Sequence, residues 1–313
     1  MFLDRKRSVP IKLTIAIATW NRCDVLRRML ASLEDLRLPD GVECEALIAD
    51  NNSTDDTRNV VSDAIEKLHG RLPARYLFES RQGKSFALNR MVAESEGDWL
   101  LFLDDDVQVT AGWLEAYLAG MQRHPGAGAF GGPIAPWLDA PVTGRLAFLL
   151  REFGTQYGIL EIERDTPMSP PAISAWGANL VVRRDLLPAE GFATDRGMLG
   201  GRRVAGEDVA ICQHVVDTGH EAWLLADATV RHWVPRDRLT TRHYCRWQAG
   251  LGRMWVLQRG RPTPGRFGVP WWAWKTFLKR AAGAAVRWRP WPTRPFYDAL
   301  GAAAQYYGYL RSD

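Results

Sequence analysis

Short apolar runs alternate with segments of helical spacing near the start of the chain, and this alternation most constrains the fold. In the segments between the runs, apolar residues recur every three or four positions. An order of this kind predicts an α/β fold with a mostly parallel sheet flanked by helices. The predicted strands are Lys12–Ala18, Ala46–Asp50, Arg75–Glu79 and Trp99–Asp104, and the predicted helices are Asp24–Leu36, Asp55–His69 and Ser85–Glu94.

Further elements follow along the chain with a less regular pattern. Ala175–Val182 and Glu221–His232 have the composition of strands, and Glu207–Thr218 between them has helical spacing. Residues Pro125–Pro141 are rich in Gly and Pro and predict loops. The stretch Thr166–Pro171 predicts a flexible segment that could close over an acceptor.

Charge and tryptophan are distributed unevenly along the 313 residues. Residues 231–313 carry 16 Lys and Arg against 3 Asp and Glu, a net charge of +13, whereas the first 230 carry 24 against 33, a net charge of −9. Eight of the 14 Trp also lie after residue 230. The sequence therefore predicts a catalytic domain at 1–235 and a basic, Trp-rich helical extension at 236–313.

The extension contains two apolar stripes at helical spacing, and prolines divide it into short helices. The stripes are Tyr244, Trp247, Leu251 and Trp255, and Trp271, Trp274, Leu278, Ala281, Ala285 and Trp288. The prolines are Pro262, Pro264, Pro270, Pro290, Pro292 and Pro295. Such helices can pack on the catalytic domain with a solvated basic face, or lie on an anionic membrane surface. Binding of single-stranded nucleic acid is a third, weaker interpretation.

The sequence contains no apparent targeting or disulfide pattern. Met1–Pro10 lacks the apolar region of a signal peptide, and no stretch approaches the roughly 20 apolar residues that span a bilayer. The cysteines are scattered without a CxxC pair, which favours reduced thiols: Cys23, Cys44, Cys212 and Cys245. The expected location is the cytoplasm, with peripheral contact at the inner face of the cytoplasmic membrane if the extension binds lipid.

An acidic triplet closes the fourth predicted strand. Alternate residues of an extended segment share a face, so Asp104 and Asp106 are expected to point the same way. Two such carboxylates repel each other unless a cation lies between them, and Mg²⁺ or Mn²⁺ held together with a diphosphate suits oxygen ligands. A solvated acidic turn is the alternative.

Asp50 and Lys84 are candidates for nucleotide binding. Asp50 ends the second strand, and its carboxylate could accept from the N–H of a base or from a ribose hydroxyl. Lys84 precedes a helix whose first N–H groups could attract a diphosphate, although GxxxxGK[ST] is absent and an ordinary helix start is equally open. Capping alone explains much of the DNNSTDDT segment after Asp50.

Two further candidates come from the second half of the sequence. Glu207 and Asp208 begin a helix, and one of them could take a proton from an acceptor hydroxyl, although both could be simple caps. We favour Asp208 as the base and Glu207 as an acceptor ligand. His232 ends a strand and could bring a nitrogen to the same cation, if it is not a structural histidine.

The order of these motifs resembles glycosyltransferase family 2 over roughly residues 10–235. The pieces are TWNR, DNNSTDDT, GKSFALN, LFLDDD, WGAN, GED and a strand-terminal His. The family has the GT-A fold, a Rossmann-like mostly parallel sheet flanked by helices, and generally inverts the anomeric centre. Each motif is weak alone, and the ordered set is specific.

The resemblance implies roles for residues at matching positions. Nucleotide-binding residues would be Thr19, Asn21, Arg22, Asp50, Asn52, Lys84, Asp104 and Asp105. Metal ligands for Mn²⁺ or Mg²⁺ would be Asp104, Asp106 and His232. Residues at the donor sugar and acceptor would be Trp176, Gly177 and Asn179, with Asp208 and Glu207 as catalytic residues.

The implied activity is transfer of one sugar from a nucleotide-diphosphate sugar to an acceptor hydroxyl. A UDP-sugar is the expected donor, and the acceptor would be a carbohydrate or a lipid-linked or cell-envelope glycan. The Gln/Arg-rich acceptor signature and the membrane helices of processive synthases are missing, which favours single transfers over polymerisation. Trp20 stands where tyrosine is commoner in the family, a mild departure.

Three rival functions fit less well. A nucleotidyltransferase would have a Gly-rich loop where Thr19–Arg22 has no glycine, and a dehydrogenase would have GxGxxG after the first strand. A non-catalytic protein that binds nucleotide or nucleic acid through a basic tail would be expected to have lost acids. The sequence retains Asp50, Asp104, Asp106 and Asp208, and no nucleic-acid partner is expected.

Overall fold

The computed structural model describes residues 10–194, 197–199, 202–204, 206–259 and 270–311. Nearly all of the N-terminal stretch considered for targeting lies outside the described residues. So do two of the prolines predicted to break the extension, Pro262 and Pro264.

The chain divides into two compact units. The first comprises residues 1–137 and 160–233, and the second comprises 138–159 and 234–313. The extension predicted at 236–313 therefore shares its unit with an inserted segment from the middle of the chain.

The first unit contains thirteen described strands and most of the shorter helices. Its strands are β1 (Ile11–Thr19), β2 (Val42–Asp50), β3 (Ala74–Phe78), β4 (Trp99–Asp104), β5 (Val107–Val109), β6 (Ala127–Gly131), β7 (Ile134–Trp137), β8 (Thr166–Pro167), β9 (Leu180–Arg183), β10 (Gly197–Leu199), β11 (Arg202–Val204), β12 (Glu221–Leu224) and β13 (Val230–Trp233). Its helices are α1 (Cys23–Ala31), α2 (Thr57–Leu68), α3 (Lys84–Glu94), α4 (Trp113–Arg123) and α6 (Glu207–Asp217). The second unit contains α5 (Gly144–Glu152), α7 (Thr241–Arg259), α8 (Trp271–Arg287) and α9 (Arg294–Leu310).

The central sheet has the strand order β3-β2-β1-β4-β9-β6-β12-β8. The pairs β3–β2, β2–β1, β1–β4 and β6–β12 are parallel, whereas β9 runs antiparallel to both of its neighbours. A smaller sheet has the order β5-β13-β7. The predicted α/β class, with a mostly parallel sheet, is confirmed.

The sheet buries apolar side chains on both faces because successive residues of β1 point in opposite directions. Leu13, Ile15 and Ile17 join one core cluster, which also contains buried residues of α1, α2 and α4. Ala16 joins the other, together with residues of α3 and α6. Residues buried on both faces explain why the strands appear in the sequence as continuous apolar runs.

The segment 125–141, predicted as loops, contains β6 and β7 instead. Gly131 ends β6 and Gly132 follows it, and at both positions neighbouring atoms leave no room for a side chain. A Cβ on Gly131 would lie 2.4 Å from the Cβ of Ala175, and one on Gly132 would lie 2.1 Å from the carbonyl oxygen of Ala228. Close approach to neighbouring segments, rather than turn formation, accounts for these glycines.

Two later predictions also differ in their bounds. The single strand predicted over 221–232 is two strands, β12 and β13, which lie in different sheets. The strand predicted over 175–182 begins only at Leu180. The apolar composition identified these segments, but the places where the chain leaves one sheet for another depend on tertiary pairing.

The second unit is helical around an aromatic core. Phe153, Tyr244 and Tyr297 pack together, and the hydroxyl of Tyr244 donates to the carbonyl oxygen of Tyr297 across 2.9 Å. None of the helices in the described part of the chain is long and apolar enough to cross a bilayer.

Candidate active site

Three parallel strands end together at one edge of the central sheet. The β1–β2 register places Thr19 opposite Asp50, and the β1–β4 register places Ala18 opposite Asp104. Ligands of open α/β sheets bind at the carboxyl ends of strands. The polar residues that follow β1, β2 and β4 therefore meet where a site is expected.

Arg22 connects the end of β1 to the acidic triplet. Its guanidinium donates to Oδ1 of Asp105 across 2.5 Å and to Oδ2 of Asp106 across 2.7 Å. The hydroxyl of Thr19 donates to Oδ2 of Asp105 across 2.9 Å. Burial alone would lower the pKa of Arg22, but the charges of Asp105 and Asp106 raise it above its ordinary value.

The two buried carboxylates of this cluster have opposite pKa shifts. Burial raises the pKa of Asp105 to about 7 against the opposing charge of Arg22. Burial acts in the same direction on Asp106, but His232 and Arg22 lower its pKa below the ordinary value. Asp106 is therefore the more acidic of the two carboxylates.

His232 lies beside Asp106 because β13 pairs with β5. The register places His232 opposite Val107, and the N–H of Trp233 donates to the carbonyl oxygen of Asp106 across 2.7 Å. Nε2 of His232 is 3.4 Å from Oδ2 of Asp106. Its Nδ1 is buried and has no hydrogen-bond partner among the described residues.

Asp104 points to a different cation from its neighbours. It forms an ion pair with Lys84 at the start of α3, whereas Asp105 and Asp106 contact Arg22. The prediction that Asp104 and Asp106 share a face assumed an extended backbone through the triplet. The strand ends at Asp104 and a turn follows, so the alternation of side chains stops there.

Lys84 is surrounded by acids from two elements. Burial alone would lower its pKa, but the charges of Asp104, Glu207 and Asp208 raise it above its ordinary value. Burial also raises the pKa of Glu207, against the opposing charge of Lys84. Two cations, Arg22 and Lys84, lie among five acidic side chains, and the charge of Asp104 acts on both cations. The acids are Asp104, Asp105, Asp106, Glu207 and Asp208. Acidic side chains outnumber the two cations in this cluster, and a divalent cation could bind among them.

Asp208 is oriented by backbone donors. Its Oδ2 accepts from the N–H of Gly177 across 2.8 Å, and its Oδ1 accepts from the N–H of Val209 across 2.8 Å. A Cβ on Gly177 would lie 3.4 Å from Nζ of Lys84 and 3.8 Å from Oδ2 of Asp208. The WGAN segment thus brings its glycine between the lysine and the proposed base.

Asp50 has two hydrogen-bond partners within the protein. Its Oδ1 accepts from the N–H of Ser53 across 2.8 Å, and its Oδ2 accepts from the hydroxyl of Tyr76 across 2.8 Å. Burial and this carboxylate raise the pKa of Tyr76 to about 12. Each carboxylate oxygen has a second lone pair, so Asp50 can still accept from a ligand.

The loops after β1 and β2 are joined by Asn21. Its side-chain oxygen accepts from the N–H of Thr54 across 2.7 Å, and its N–H donates to the hydroxyl of Ser53 across 2.9 Å. Asn21 and Asn52 have positive φ angles, 51° and 65°, which asparagine tolerates better than most residues. Asn21 therefore shapes the loops, while Asn52 has an exposed side chain.

Asn51 was missed by the sequence analysis. It is buried, its Oδ1 accepts from the N–H of Gly83 across 2.8 Å, and its Nδ2 donates to the carbonyl oxygen of Arg81 across 2.6 Å. These bonds hold the loop that presents Lys84. The paired asparagines after β2 were the available indication, but the sequence does not say which of the two points inward.

Asn179 is buried, unlike the other residues predicted at the sugar. It is 1% exposed, and its side-chain oxygen accepts from Trp113 Nε1 across 3.0 Å and from the Tyr117 hydroxyl across 2.7 Å. Its Nδ2 donates to the carbonyl oxygens of Ala228 and Pro133. Both polar atoms of its side chain have protein partners, and its role at the sugar stays a prediction. Trp176, which precedes this turn, is half-buried against the first core cluster.

In the described part of the chain, no three His, Cys, Asp or Glu side chains are arranged to hold a metal by themselves. Asp106 and His232 nevertheless supply an oxygen and a nitrogen at adjacent positions. Mg²⁺ and Mn²⁺ commonly take their other ligands from substrate phosphates and water. The residues present fit a cation that is bound jointly with a diphosphate.

A family model described as "Glycosyl transferase family 2" matches residues 14–187. Among curated proteins, the chain is 28% identical over 107 residues to the GalNAc(5)-diNAcBac-PP-undecaprenol beta-1,3-glucosyltransferase of Campylobacter jejuni. The match covers 34% of this chain and 33% of that protein, so it spans about a third of the relative's length.

Solved structures resemble nearly the whole chain. The mannosyltransferase PcManGT from Pyrobaculum calidifontis, in complex with GDP-Man and Mn²⁺, is 19% identical with a TM-score of 0.55, covering 97% of this chain and 73% of that one. TarS from S. aureus, in complex with UDP, is 15% identical with a TM-score of 0.52, covering 96% and 89%. At these identities the likeness concerns the fold alone, and it confirms the GT-A fold expected from the sequence.

Proposed function

Because the chain belongs to glycosyltransferase family 2, we propose that it transfers a single sugar from a nucleotide-diphosphate sugar to an acceptor hydroxyl, with a divalent metal and inversion at the anomeric carbon. One observation carries the proposal. Lys84 and Gly177 lie between the carboxylate that ends β4, Asp104, and the acidic start of α6, Glu207 and Asp208. The lysine that would bind the donor diphosphate is thus next to the carboxylates that would act on the acceptor hydroxyl.

The nucleotide would bind over the ends of β1, β2 and β4. Asp50 would accept from the base or ribose through its remaining lone pairs, and Asp104 and Asp105 would lie near the ribose and diphosphate. Thr19 and Arg22 would orient Asp105 through the hydrogen bonds described above. Lys84 would offer positive charge to the diphosphate, and Asn21 and Asn52 would shape the rim. The GDP-Man and UDP complexes of the two similar structures support a nucleotide-sugar donor, and a UDP-sugar is the donor we expect.

Asp106 and His232 would hold the metal, with Asp104 as a further acid on the same rim. The Mn²⁺ complex of PcManGT and the excess of carboxylates here support Mn²⁺ or Mg²⁺. Such a cation neutralises charge on a departing diphosphate. The residues would contribute by fixing its position: the β5–β13 pairing holds His232 beside Asp106, and Arg22 fixes the carboxylate.

Asp208 would be the general base. Two backbone N–H groups hold its carboxylate in one orientation, which is what in-line attack requires. As the acceptor oxygen forms its bond to the anomeric carbon, the bond from that carbon to the diphosphate oxygen breaks on the opposite face, and the hydroxyl proton passes to Asp208. Glu207 would bind the acceptor, with Trp176 and Gly177 at the sugar.

The acceptor we propose is a carbohydrate that is lipid-linked or part of an envelope glycan. The undecaprenol-linked substrate in the name of the Campylobacter relative supports it. The second unit exposes large aromatic side chains among basic residues: Trp271, Trp272, Trp274, Trp288 and Trp291. Tryptophan with Lys and Arg suits the headgroup region of an anionic membrane, so we propose peripheral contact with such a surface.

Titration calorimetry with UDP, GDP and dTDP, each with and without Mn²⁺, tests the donor site. We expect one nucleotide to bind in the presence of metal, and Asp106→Ala to abolish the metal-dependent part. Asp63→Ala, which removes an exposed acid on α2, is the matched control and should bind like the wild type. If none of the nucleotides binds under either condition, the proposal is wrong.

A further inference from the structure

The second unit contains an open groove of about 890 Å³ between α7, α8 and α9. Each helix contributes one face, because the residues that line it recur at helical spacing. The α8 and α9 side, here called the floor, is apolar, and five of its residues are alanines: Ala281, Ala284 and Ala285 on α8 and Ala303 and Ala304 on α9. The small side chains leave an apolar trough, and the volume of the groove lies within the roughly 300–1,000 Å³ typical of ligand sites.

Three arginines lie along the α7 side of this trough. Arg242, Arg246 and Arg253 all line it, and all three are exposed. None has an acidic partner in the described parts of the chain. Asp298 is the one acidic residue that the sequence has between 241 and 311, and it lies 4.0 Å from Arg294. The groove therefore combines an apolar floor with unneutralised positive charge on one side.

The framework of the groove is set by close packing of two helices. A Cβ on Gly252 would lie 1.8 Å from the carbonyl oxygen of Gln305, and one on Gly308 would lie 1.8 Å from that of Ala249. The backbones of α7 and α9 thus touch at these glycines. This contact sets the spacing of α7 and α9 on two sides of the groove.

Aromatic residues extend the groove toward solvent. Trp288 and Tyr307 line it and are 59% and 42% exposed. An apolar trough with guanidinium groups along one side and amphipathic aromatics at its rim matches a molecule with a hydrocarbon chain and an anionic headgroup. Arginine is well suited to phosphate, because its planar fork can form two parallel hydrogen bonds.

We propose that this groove binds a phosphate-bearing lipid, with the chain over the alanine floor and the phosphate against Arg242, Arg246 and Arg253. This inference rests on the proposed membrane contact and makes it more specific. The second unit would bind an individual lipid molecule in the groove in addition to adsorbing to a charged membrane surface. The alternative ligand is a second copy of this chain, bound through its own apolar face.

Calorimetric titration of the full chain with dodecyl phosphate, below its micelle concentration, tests the groove. We expect one site per chain, no heat from inorganic phosphate, and binding of dodecyl maltoside at least about tenfold weaker than dodecyl phosphate. Ala285→Trp, which fills the trough, should weaken dodecyl phosphate binding about tenfold or more. Ala282→Trp is the matched control, an exposed alanine of the same helix that does not line the groove, and it should bind like the wild type.

An arginine variant tests the groove even if Ala285→Trp fails to fold. Arg246→Gln should weaken dodecyl phosphate binding several-fold, whereas Arg280→Gln, an exposed arginine outside the groove, should not. Equal affinities of Ala285→Trp and Ala282→Trp, or maltoside binding as tight as phosphate, would overturn the proposal. A dimer in sedimentation that Ala285→Trp dissociates would assign the groove to a second copy instead.

Two parallel measurements separate this proposal from the proposed function. Nucleotide titration of Ala285→Trp should give the wild-type result, because the nucleotide residues lie in the first unit. Dodecyl phosphate binding without any nucleotide binding would leave the groove standing and reject the sugar transfer. Nucleotide binding without dodecyl phosphate binding would reject the groove alone. In that case, co-sedimentation with phosphatidylglycerol vesicles tests membrane-surface contact separately.

Discussion

The backbone N–H of Gly177 donates to Oδ2 of Asp208 across 2.8 Å, and this bond joins the WGAN segment to the first turn of α6. The two residues are far apart in the sequence, yet each is adjacent to Lys84. The bond fixes the direction of the carboxylate. The small size of residue 177 keeps the space beside Lys84 open.

Gly177→Ala is therefore expected to affect activity more than stability. The added Cβ would be in ordinary contact with Lys84 and Asp208, at 3.4 and 3.8 Å, so the fold should accept it. It would occupy space at the proposed sugar site, and we expect kcat/KM to fall about tenfold. Gly126→Ala is the control, since its Cβ would make only a 3.8 Å contact with Glu221. A loss of several degrees in Tm for Gly177→Ala alone would contradict this explanation.

Asp208→Asn should remove the general base. Its single amide oxygen can accept from Gly177 or from Val209, so the side chain keeps one of the two backbone hydrogen bonds. Donor affinity should be unchanged, because Asp208 is not among the proposed nucleotide-binding residues, while kcat should fall by about 10²–10⁴-fold. Glu207→Gln should mainly raise KM for the acceptor. Steady-state kinetics with both substrates varied distinguish the two effects, and a larger fall of kcat in Glu207→Gln would move the role of base to Glu207.

Glu207 should also make stability depend on pH. Burial raises its pKa, so folding favours the neutral acid; the stability it contributes is fully present below the ordinary glutamate pKa of about 4.3 and is lost as pH rises through the folded value. Glu207→Gln mimics the neutral form and should gain Tm over the wild type as pH rises from about 4.3 towards 8. Thermal melts across this range test the sign. A variant less stable than wild type at pH 8 would mean that pairing with Lys84 outweighs burial.

Asn51→Ala should weaken nucleotide binding without reaching the nucleotide itself. Its side chain holds the loop before Lys84 through Gly83 and Arg81, so the loop should lose its fixed position. We expect about tenfold weaker nucleotide binding by calorimetry. Asn59→Ala, which removes an exposed hydrogen bond on α2, is the matched control. Unchanged affinity in Asn51→Ala would limit this residue to a role in stability.

Asn179→Ala should be among the most destabilising single changes in the first unit. It leaves Trp113 Nε1, the Tyr117 hydroxyl and the carbonyl oxygen of Ala228 buried without their partner. Each such group costs about 1–3 kcal/mol, so the free energy of unfolding should fall by about 3 kcal/mol or more. Urea denaturation measures it. A stable variant that instead loses sugar affinity would indicate that Asn179 acts at the sugar site.

The sequence by itself determined the layers of the fold and the positions where polar residues follow strands. Apolar runs buried on both faces and helical spacing between them depend on local periodicity, so β1, β2, β3 and β4 were predicted within a few residues. The end of a parallel strand is also visible in the sequence, which is why Asp50 and the acidic triplet could be identified.

The tertiary structure alone decided which groups meet. Periodicity gives side-chain direction only while a strand continues, and β4 ends at Asp104, so the division of the triplet between Lys84 and Arg22 was not predictable. The placement of His232 beside Asp106 depends on the β5–β13 pairing of distant segments. The burial of Asn179 depends on α4 and on the backbone at Ala228, because hydrogen bonding in the interior is set by the atoms that topology brings together.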